Sequence, residues 1–295
     1  MVQWVEVVNF AAMRKILTSL ILLIFTTCAA SATEPADTAK TPQPSEAYLG
    51  FMEQADKAIA ENKWADAELA LKEALRLEPF NPMNAILHSN LGMVQHYNGL
   101  DSLALDNLST GHRLAPKSVT VLLNRGEILT SLHRIPEAIE DYAMAMSLDT
   151  TQIEPLFYHA MLCFNSDSID KAKADMDQLQ SRFPDNELTS LALGTFNAFT
   201  GKFKEAIPYL NKVIDSTPTA GDYCTRAMCY LMTEQLAEAS EDLARGIELD
   251  PTDGELYFYR AILNKMRYRP EDAHADALKA VQFGVASDRI KALGL

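Results

Sequence analysis

Apolar and small residues recur at helical spacing along most of the chain, and prolines close the helical stretches at regular intervals. The helical pattern begins near Glu46, after a polar stretch. The closing prolines are Pro79, Pro116, Pro184, Pro218 and Pro251. Their sequence numbers differ in turn by 37, 68, 34 and 33, and 68 is twice 34. A period of about 34 residues indicates stacked two-helix units, because each unit can bury its apolar face only against a neighbour.

Small and large apolar residues occupy the same places in each unit. The third unit carries Leu122, Gly126, Ala138, Tyr142 and Ala145 at positions 4, 8, 20, 24 and 27 of its period. The small residues at positions 8 and 20 let the two helices of one unit approach closely, and the one at position 27 admits the next unit. The large residues fill the space between helices, and the closing proline cannot continue the second helix.

This pattern resembles the tetratricopeptide repeat (TPR) family over residues 46–284. The stretch Arg125–Asp149 (RGEILTSLHRIPEAIEDYAMAMSLD) is close to the family consensus. The resemblance implies an all-α fold, a right-handed α-solenoid of about seven helix-turn-helix TPR units. It also implies that the first helix of each unit lines a concave groove. Residues 285–295 are predicted to form a short C-terminal cap, with Ser287 as its N-cap.

The turn between the two helices of a unit is expected to need a flexible backbone. Gly99 and Gly201 supply it in the second and fifth units. The fourth unit departs from this pattern, because it turns through residues 166–168 (SDS) without a glycine.

The N-terminal segment, residues 1–32, has the order of a secretory signal. Arg14 and Lys15 precede an apolar run over residues 16–25. Residues 30–32 (ASA) then supply the small side chains that signal peptidase requires. We therefore predict a signal peptide over residues 1–32, with Met13 as an alternative start.

A proline-rich linker is predicted over residues 33–45, before the repeats. Cys28 leaves a second interpretation of the N-terminus open, that of a lipid-anchored protein, and an uncleaved membrane anchor is a third. The mature chain is accordingly expected to be periplasmic or secreted, or else an outer-membrane lipoprotein attached through Cys28.

Charge and cysteine content narrow the classes of partner. The 295 residues carry a formal net charge of −14, which repels phosphate backbones and anionic lipid. We expect no nucleic-acid partner, and membrane contact only if Cys28 is lipidated. Cleavage would leave Cys163, Cys224 and Cys229, an odd number whose spacing favours small buried apolar residues over disulfides or metal ligands.

Catalytic motifs are not found in the sequence. The six histidines are scattered, and there is no HExxH, CxxC, P-loop, G-x-S-x-G or G-x-G-x-x-G. The acidic pairs Glu140-Asp141 and Glu241-Asp242 are interpreted as solvated helix faces rather than acid/base dyads. We therefore predict a protein that is not an enzyme and that uses neither a cofactor nor a metal.

The resemblance places the groove on the first helices, and in units 4 to 7 this face is apolar. The predicted partner-binding residues are Phe157, Met161, Phe164, Leu191, Phe199, Met228, Leu231, Phe258 and Ile262. Exposed surfaces rich in methionine and aromatic side chains often bind partners. Closure of the superhelix, the C-terminal cap or a homodimer could instead cover these residues. Cations are few at these positions, Lys265 being the clearest, so acidic chaperone tails are not the expected ligand.

The sequence thus predicts a protein–protein interaction scaffold in the bacterial envelope, which holds an apolar or amphipathic segment of a partner by the helix-in-groove mode. The alternative is a self-associating or lipid-anchored structural subunit of an outer-membrane assembly. A monomer with an open groove favours the first hypothesis, and a stable dimer with that groove buried favours the second.

Overall fold

The computed structural model describes residues 43–295, which form two compact units, residues 43–167 and residues 168–295. The predicted signal peptide, Cys28 and most of the predicted linker lie outside the described residues. The division between the units falls in the turn of the fourth predicted repeat. Each unit is therefore described by itself.

The first unit, here called the N-terminal unit, contains seven helices. They are α1 (Glu46–Ala60), α2 (Trp64–Leu77), α3 (Asn84–Tyr97), α4 (Asp101–Leu114), α5 (Val119–Ser131), α6 (Ile135–Leu148) and α7 (Glu154–Asn165). Each helix packs against the next one along the chain, and α3 also packs against α5.

The second unit, here called the C-terminal unit, contains eight helices. They are α8 (Ile169–Arg182), α9 (Glu187–Phe199), α10 (Phe203–Ile214), α11 (Ala220–Met232), α12 (Leu236–Leu249), α13 (Gly254–Met266), α14 (Pro270–Gln282) and α15 (Ser287–Ala292). Consecutive helices again pack together, and the first helices of successive repeats, α9, α11 and α13, also contact one another. The described chain contains no strand, so the predicted all-α fold of stacked helix pairs is confirmed.

Side-chain caps mark where several first helices begin. The side chains of Ser45, Ser118, Asn186 and Asp253 each accept a hydrogen bond from a backbone N–H in the first turn. Thr219 goes further and forms a reciprocal capping box with Asp222. Such caps satisfy backbone donors that have no partner inside the helix, so these boundaries are encoded locally.

Every turn inside a described repeat contains one residue in the left-handed conformation. These residues are Asn62, Gly99, His133, Asp167, Gly201, Glu234 and Tyr268, with φ between 55° and 81°. A residue with positive φ ends the first helix and reverses the chain toward the second. Glycine adopts this conformation readily, whereas the five other residues are held there by the helices on both sides. Only the two glycines were recognisable from the sequence pattern.

The small residues of the repeat pattern lie at helix contacts. Ala67, Ala104 and Ala138 are fully buried. A Cβ atom added to Gly126 would lie 2.7 Å from Cζ of Tyr142, so a methyl group there would collide with the tyrosine ring. Position 8 of the third repeat must therefore lack a side chain, because position 24 carries an aromatic one.

A short helix, α15, lies within residues 285–295, the predicted C-terminal cap, and its N-cap is one residue earlier than predicted. Ala286 is the N-cap of α15 and makes no side-chain hydrogen bond, whereas Ser287 is the first helical residue. The prediction of Ser287 as N-cap was therefore wrong, because Ala286 is the last extended residue and Ser287 is already helical. Ile290 is buried, and Leu293 and Leu295 pack against the core of the C-terminal unit.

Three cysteines lie in the described chain, and all three are buried, as predicted. None of the helices between residues 43 and 295 has the length and apolar character needed to cross a membrane.

Candidate functional site

The predicted groove residues fall in both units. Phe157, Met161 and Phe164 lie on α7 of the N-terminal unit. The other six lie on the first helices of the C-terminal unit: Leu191 and Phe199 on α9, Met228 and Leu231 on α11, and Phe258 and Ile262 on α13. Five of these six belong to, or pack against, one apolar cluster; Leu191 is half-buried on α9.

Most of these side chains have little contact with solvent. Phe157, Met161, Met228, Leu231 and Phe258 are buried, and the other four are half-buried. Phe258 is covered in part by the C-terminal cap, because Cζ of Arg289 lies 4.2 Å from the centre of the Phe258 ring. Their predicted role in binding a partner stays a prediction, and a large part of this surface serves as core.

An open cavity of about 400 Å³ lies within the C-terminal unit, between α11, the start of α13 with the turn before it, and the turn that follows α14. Phe199 and Met228, both predicted groove residues, line it. The remaining lining consists of Gly221, Cys224, Thr225, Asp250, Thr252, Asp253, Gly254, Glu255, Tyr259, Phe283, Gly284 and Val285. The cavity thus combines aromatic and sulfur-containing walls with three carboxylates.

The aromatic and sulfur side chains of the cavity are electrically neutral. Burial raises the pKa of the Cys224 thiol well above its usual value, so this cysteine stays protonated and is a poor nucleophile. Burial likewise raises the pKa of Tyr259, whose hydroxyl donates a hydrogen bond to Sδ of Met228 at 3.1 Å. These groups suit contact with an apolar side chain and offer no ionised nucleophile.

Two of the three carboxylates of the cavity are held in place by short-range hydrogen bonds. Asp250 accepts hydrogen bonds from the backbone N–H and the hydroxyl of Thr252, which lowers the pKa of Asp250. Asp253 caps α13 by accepting from the N–H of Glu255, although burial raises the pKa of Asp253. These acids were not among the predicted site residues; their signal is the cap-forming run Asp250–Glu255 (DPTDGE), which follows a helix end.

Buried ion pairs correct one interpretation of the acidic residues. Three arginines on first helices bind aspartates on second helices of the same repeat: Arg125–Asp141, Arg226–Asp242 and Arg260–Asp276. Asp141 and Asp242 are buried, so the interpretation of both as part of a solvated face was wrong; Glu140 and Glu241 are exposed as expected. The partners of each pair stand 16 positions apart along the chain, and this recurring Arg–Asp spacing is the signal that was missed.

A carboxylate in the first repeat makes the stability of the N-terminal unit depend on pH. Burial first, and the charge of Glu53 second, raise the pKa of Asp56 from 3.8 to about 6. The folded state then binds more protons than the unfolded state between these values, so stability falls as pH rises from about 4 to about 6. Above that range the carboxylate is ionised in both states, and the free energy of unfolding stays lowered by a constant amount.

We therefore expect Asp56→Asn to stabilise the protein at pH 7.5 by on the order of 1 kcal/mol, after discounting for partial solvation, and to have almost no effect at pH 3.5. Urea unfolding across this pH range measures the difference. Glu53→Gln removes only the second cause and should give a smaller gain. Identical pH profiles for Asp56→Asn and the parent chain would contradict the assignment.

Family models described as tetratricopeptide repeat match residues 52–108 and residues 223–253. A solved tetratricopeptide repeat protein from Parabacteroides merdae is 26% identical, with a TM-score of 0.66, and the match covers 84% of this chain and 98% of that one. YrrB, described as a TPR protein with an unusual peptide-binding site, superposes with a TM-score of 0.50 at 18% identity, covering 64% of this chain and 98% of YrrB.

A curated relative, sperm-associated antigen 1 of Mus musculus, is 28% identical over 93 residues, which is 32% of this chain. The match spans only 10% of the length of that protein. The repeats in the sequence, the paired helices of both units and these matches lead to one conclusion. The chain is a tetratricopeptide repeat protein, and proteins of this family are generally non-catalytic scaffolds for protein–protein interaction.

Proposed function

We propose that this chain is an exported scaffold that holds an apolar or amphipathic segment of a partner protein in the cavity of its C-terminal unit. The observation that carries the proposal is the cavity itself. Its volume of about 400 Å³ accommodates one or two large side chains, and Phe199, Met228 and Tyr259 offer them apolar contact.

The lining of the cavity suits a protein ligand. Aromatic and methionine side chains adapt to different apolar partners, and the carboxylates at Asp250 and Asp253 can orient a polar or cationic neighbour. The description of YrrB as a peptide-binding TPR protein supports this class of ligand for a related fold. The proposal of export to the bacterial envelope depends on the signal-like pattern of residues 1–32.

Filling the cavity tests the proposal. Thr225 lines the cavity at half exposure, and its hydroxyl only donates to the Gly221 carbonyl of its own helix. We expect peptides selected from a random display library on the full chain to bind Thr225→Trp at least about tenfold more weakly, because the indole occupies the space of the ligand side chain.

Thr110→Trp is the matched control. Thr110 is also half-buried, and its hydroxyl donates to the Asp106 carbonyl of its own helix, but it lies on α4 outside the cavity. The same peptides should bind this variant with unchanged affinity in fluorescence anisotropy. If Thr225→Trp keeps the parent melting temperature and every selected peptide binds it as tightly as the parent, the cavity is not the binding site.

A further inference from the structure

The C-terminal segment, residues 285–295, contacts the face of α13 that carries Glu255, Phe258 and Lys265, here called the inner face. Arg289 binds Glu255 through two guanidinium nitrogens, one of them 2.8 Å from Oε2 of Glu255. The same guanidinium lies over the ring of Phe258, one turn further along α13. An arginine that binds a carboxylate with two nitrogens and stacks on an aromatic ring is a recognition contact of high geometric specificity.

The segment continues along α13 beyond Arg289. Ile290 is buried against the core of the C-terminal unit, and Leu293 and Leu295 pack on the same cluster. Near the other end of α13, Nζ of Lys265 donates a hydrogen bond to the Leu293 carbonyl. The segment thus contacts α13 at Glu255, Phe258 and Lys265, and it adds three aliphatic side chains to the apolar cluster that includes Phe258.

These contacts reach the cavity. Glu255, which binds Arg289, is part of the cavity lining, and so is Val285, the first residue of the segment. The side chains of Asp250 and Asp253 add negative charge to the same lining, which complements a cation in this place. The C-terminal segment therefore covers the edge of the cavity with the chemistry of a bound peptide.

Two features of the segment favour a reversible attachment. α15 has only six residues, far fewer than an isolated helix needs for stability in water. The side chains of Arg289 and Glu255 are 24% and 27% exposed, so solvent screens their ion pair in part.

We propose that the inner face of α13 binds a short helix of a partner protein, and that residues 285–295 occupy this surface in cis as a displaceable internal ligand. In the partner helix, an arginine is followed by aliphatic residues one and four positions later. The inference rests on the proposed function, since it names the chemistry of the partner and a regulation of the same site. A partner segment must displace the C-terminal segment before it reaches the cavity edge.

The test uses the full chain and a labelled peptide with the sequence of residues 286–295 (ASDRIKALGL). Arg289→Glu places two carboxylates together and should release the segment. The peptide should then bind the Arg289→Glu chain at least about tenfold more tightly than the parent chain, in which the tethered copy has the advantage of effective concentration. A peptide that carries the Arg289→Glu change should not bind either chain measurably.

Lys291→Glu is the matched control, because it makes the same charge change two residues away. Lys291 pairs with the neighbouring Asp288, which is exposed, and the Lys291 side chain is itself 74% exposed. This variant should bind the peptide like the parent chain. If Arg289→Glu keeps the parent melting temperature and binds the peptide no better than Lys291→Glu, the proposal is wrong.

A second variant covers the case in which Arg289→Glu does not fold. Leu293→Asp weakens the apolar half of the contact, and it should also increase peptide binding about tenfold. If both variants lose their cooperative melt, the segment is an integral part of the fold and the proposal is overturned. If the parent chain dimerises by exchanging this segment between two copies, the segment does not occupy the α13 face of its own chain, and the proposal is wrong.

The two sets of variants distinguish failure of the internal-ligand proposal from failure of the proposed function. If Thr225→Trp weakens binding of the selected peptides but the 286–295 peptide does not bind, the cavity is a binding site and the C-terminal segment is not an internal ligand. If the 286–295 peptide binds but Thr225→Trp weakens binding of none of the selected peptides, the inner face of α13 is a binding surface and the cavity is not a binding site.

Discussion

Asp242→Ala is expected to lower the free energy of unfolding by about 3–5 kcal/mol, because it leaves the charge of Arg226 buried without its carboxylate. Asp242 accepts hydrogen bonds from Nε and Nη2 of Arg226 at 2.8 and 2.6 Å. Arg226 also donates to Oδ1 of Asn211, which ties α10, α11 and α12 together. Removal of Asp242 therefore disturbs contacts among three helices.

The same loss should not appear when both partners are replaced. Burial raises the pKa of Asp242 in spite of the adjacent guanidinium, so desolvation offsets much of the attraction between the charges. The double change Arg226→Met with Asp242→Leu removes both desolvated charges, and we expect it to recover most of the lost stability. Urea unfolding of the single and double variants measures both effects.

Glu248→Ala provides a control on the same helix. Glu248 pairs with Arg245, and the two side chains are 70% and 60% exposed. An exposed pair of this kind contributes little, so its loss should change stability by less than about 0.5 kcal/mol. Equal effects of Asp242→Ala and Glu248→Ala would show that burial does not govern these ion pairs.

Phe157→Ala is expected to lower the free energy of unfolding by about 3–5 kcal/mol, because the side chain is only 1% exposed and its removal leaves a cavity. The Phe157 ring also packs edge-on against Tyr158, with ring centres 5.3 Å apart. Both contributions are lost in the variant. The urea midpoint of the full chain, with circular dichroism to follow helix content, measures the change.

Phe80→Ala is the matched control for this substitution, because Phe80 is 96% exposed in the same unit. Its loss should alter stability by no more than about 0.5 kcal/mol. An unchanged midpoint for Phe157→Ala would instead mean that Phe157 is not a core residue and is available to a ligand. The two midpoints together decide whether this predicted groove residue acts mainly in folding or in binding.

Local patterns were sufficient to predict the fold. The regular spacing of prolines and the small residues such as Gly126 and Ala138 indicated paired helices, since these residues act on neighbours within one repeat. The cap-forming residues act over three positions at most, so their effects are also readable from the sequence. The family resemblance and the all-α architecture followed from these short-range features.

The candidate site was predicted only in part. Phe199 and Met228 line the cavity, whereas Phe157 and Phe258, from the same predicted set, do not line it and are buried. Position within a repeat tells which side of a helix a residue occupies. It does not tell how much of that side a neighbouring helix or a terminal segment covers.

By itself, the sequence determined the repeat period, the helical fold and the side of each helix that faces its partner, because these depend on residues close together along the chain. Only the tertiary structure decided that Asp242 is buried against Arg226, that Tyr268 adopts a left-handed turn conformation, and that Arg289 binds Glu255. The first and third contacts join side chains that stand 16 and 34 positions apart, and no local pattern gives their distance. Packing brings them together, because a desolvated charge or a strained turn persists only where the surrounding helices compensate its cost.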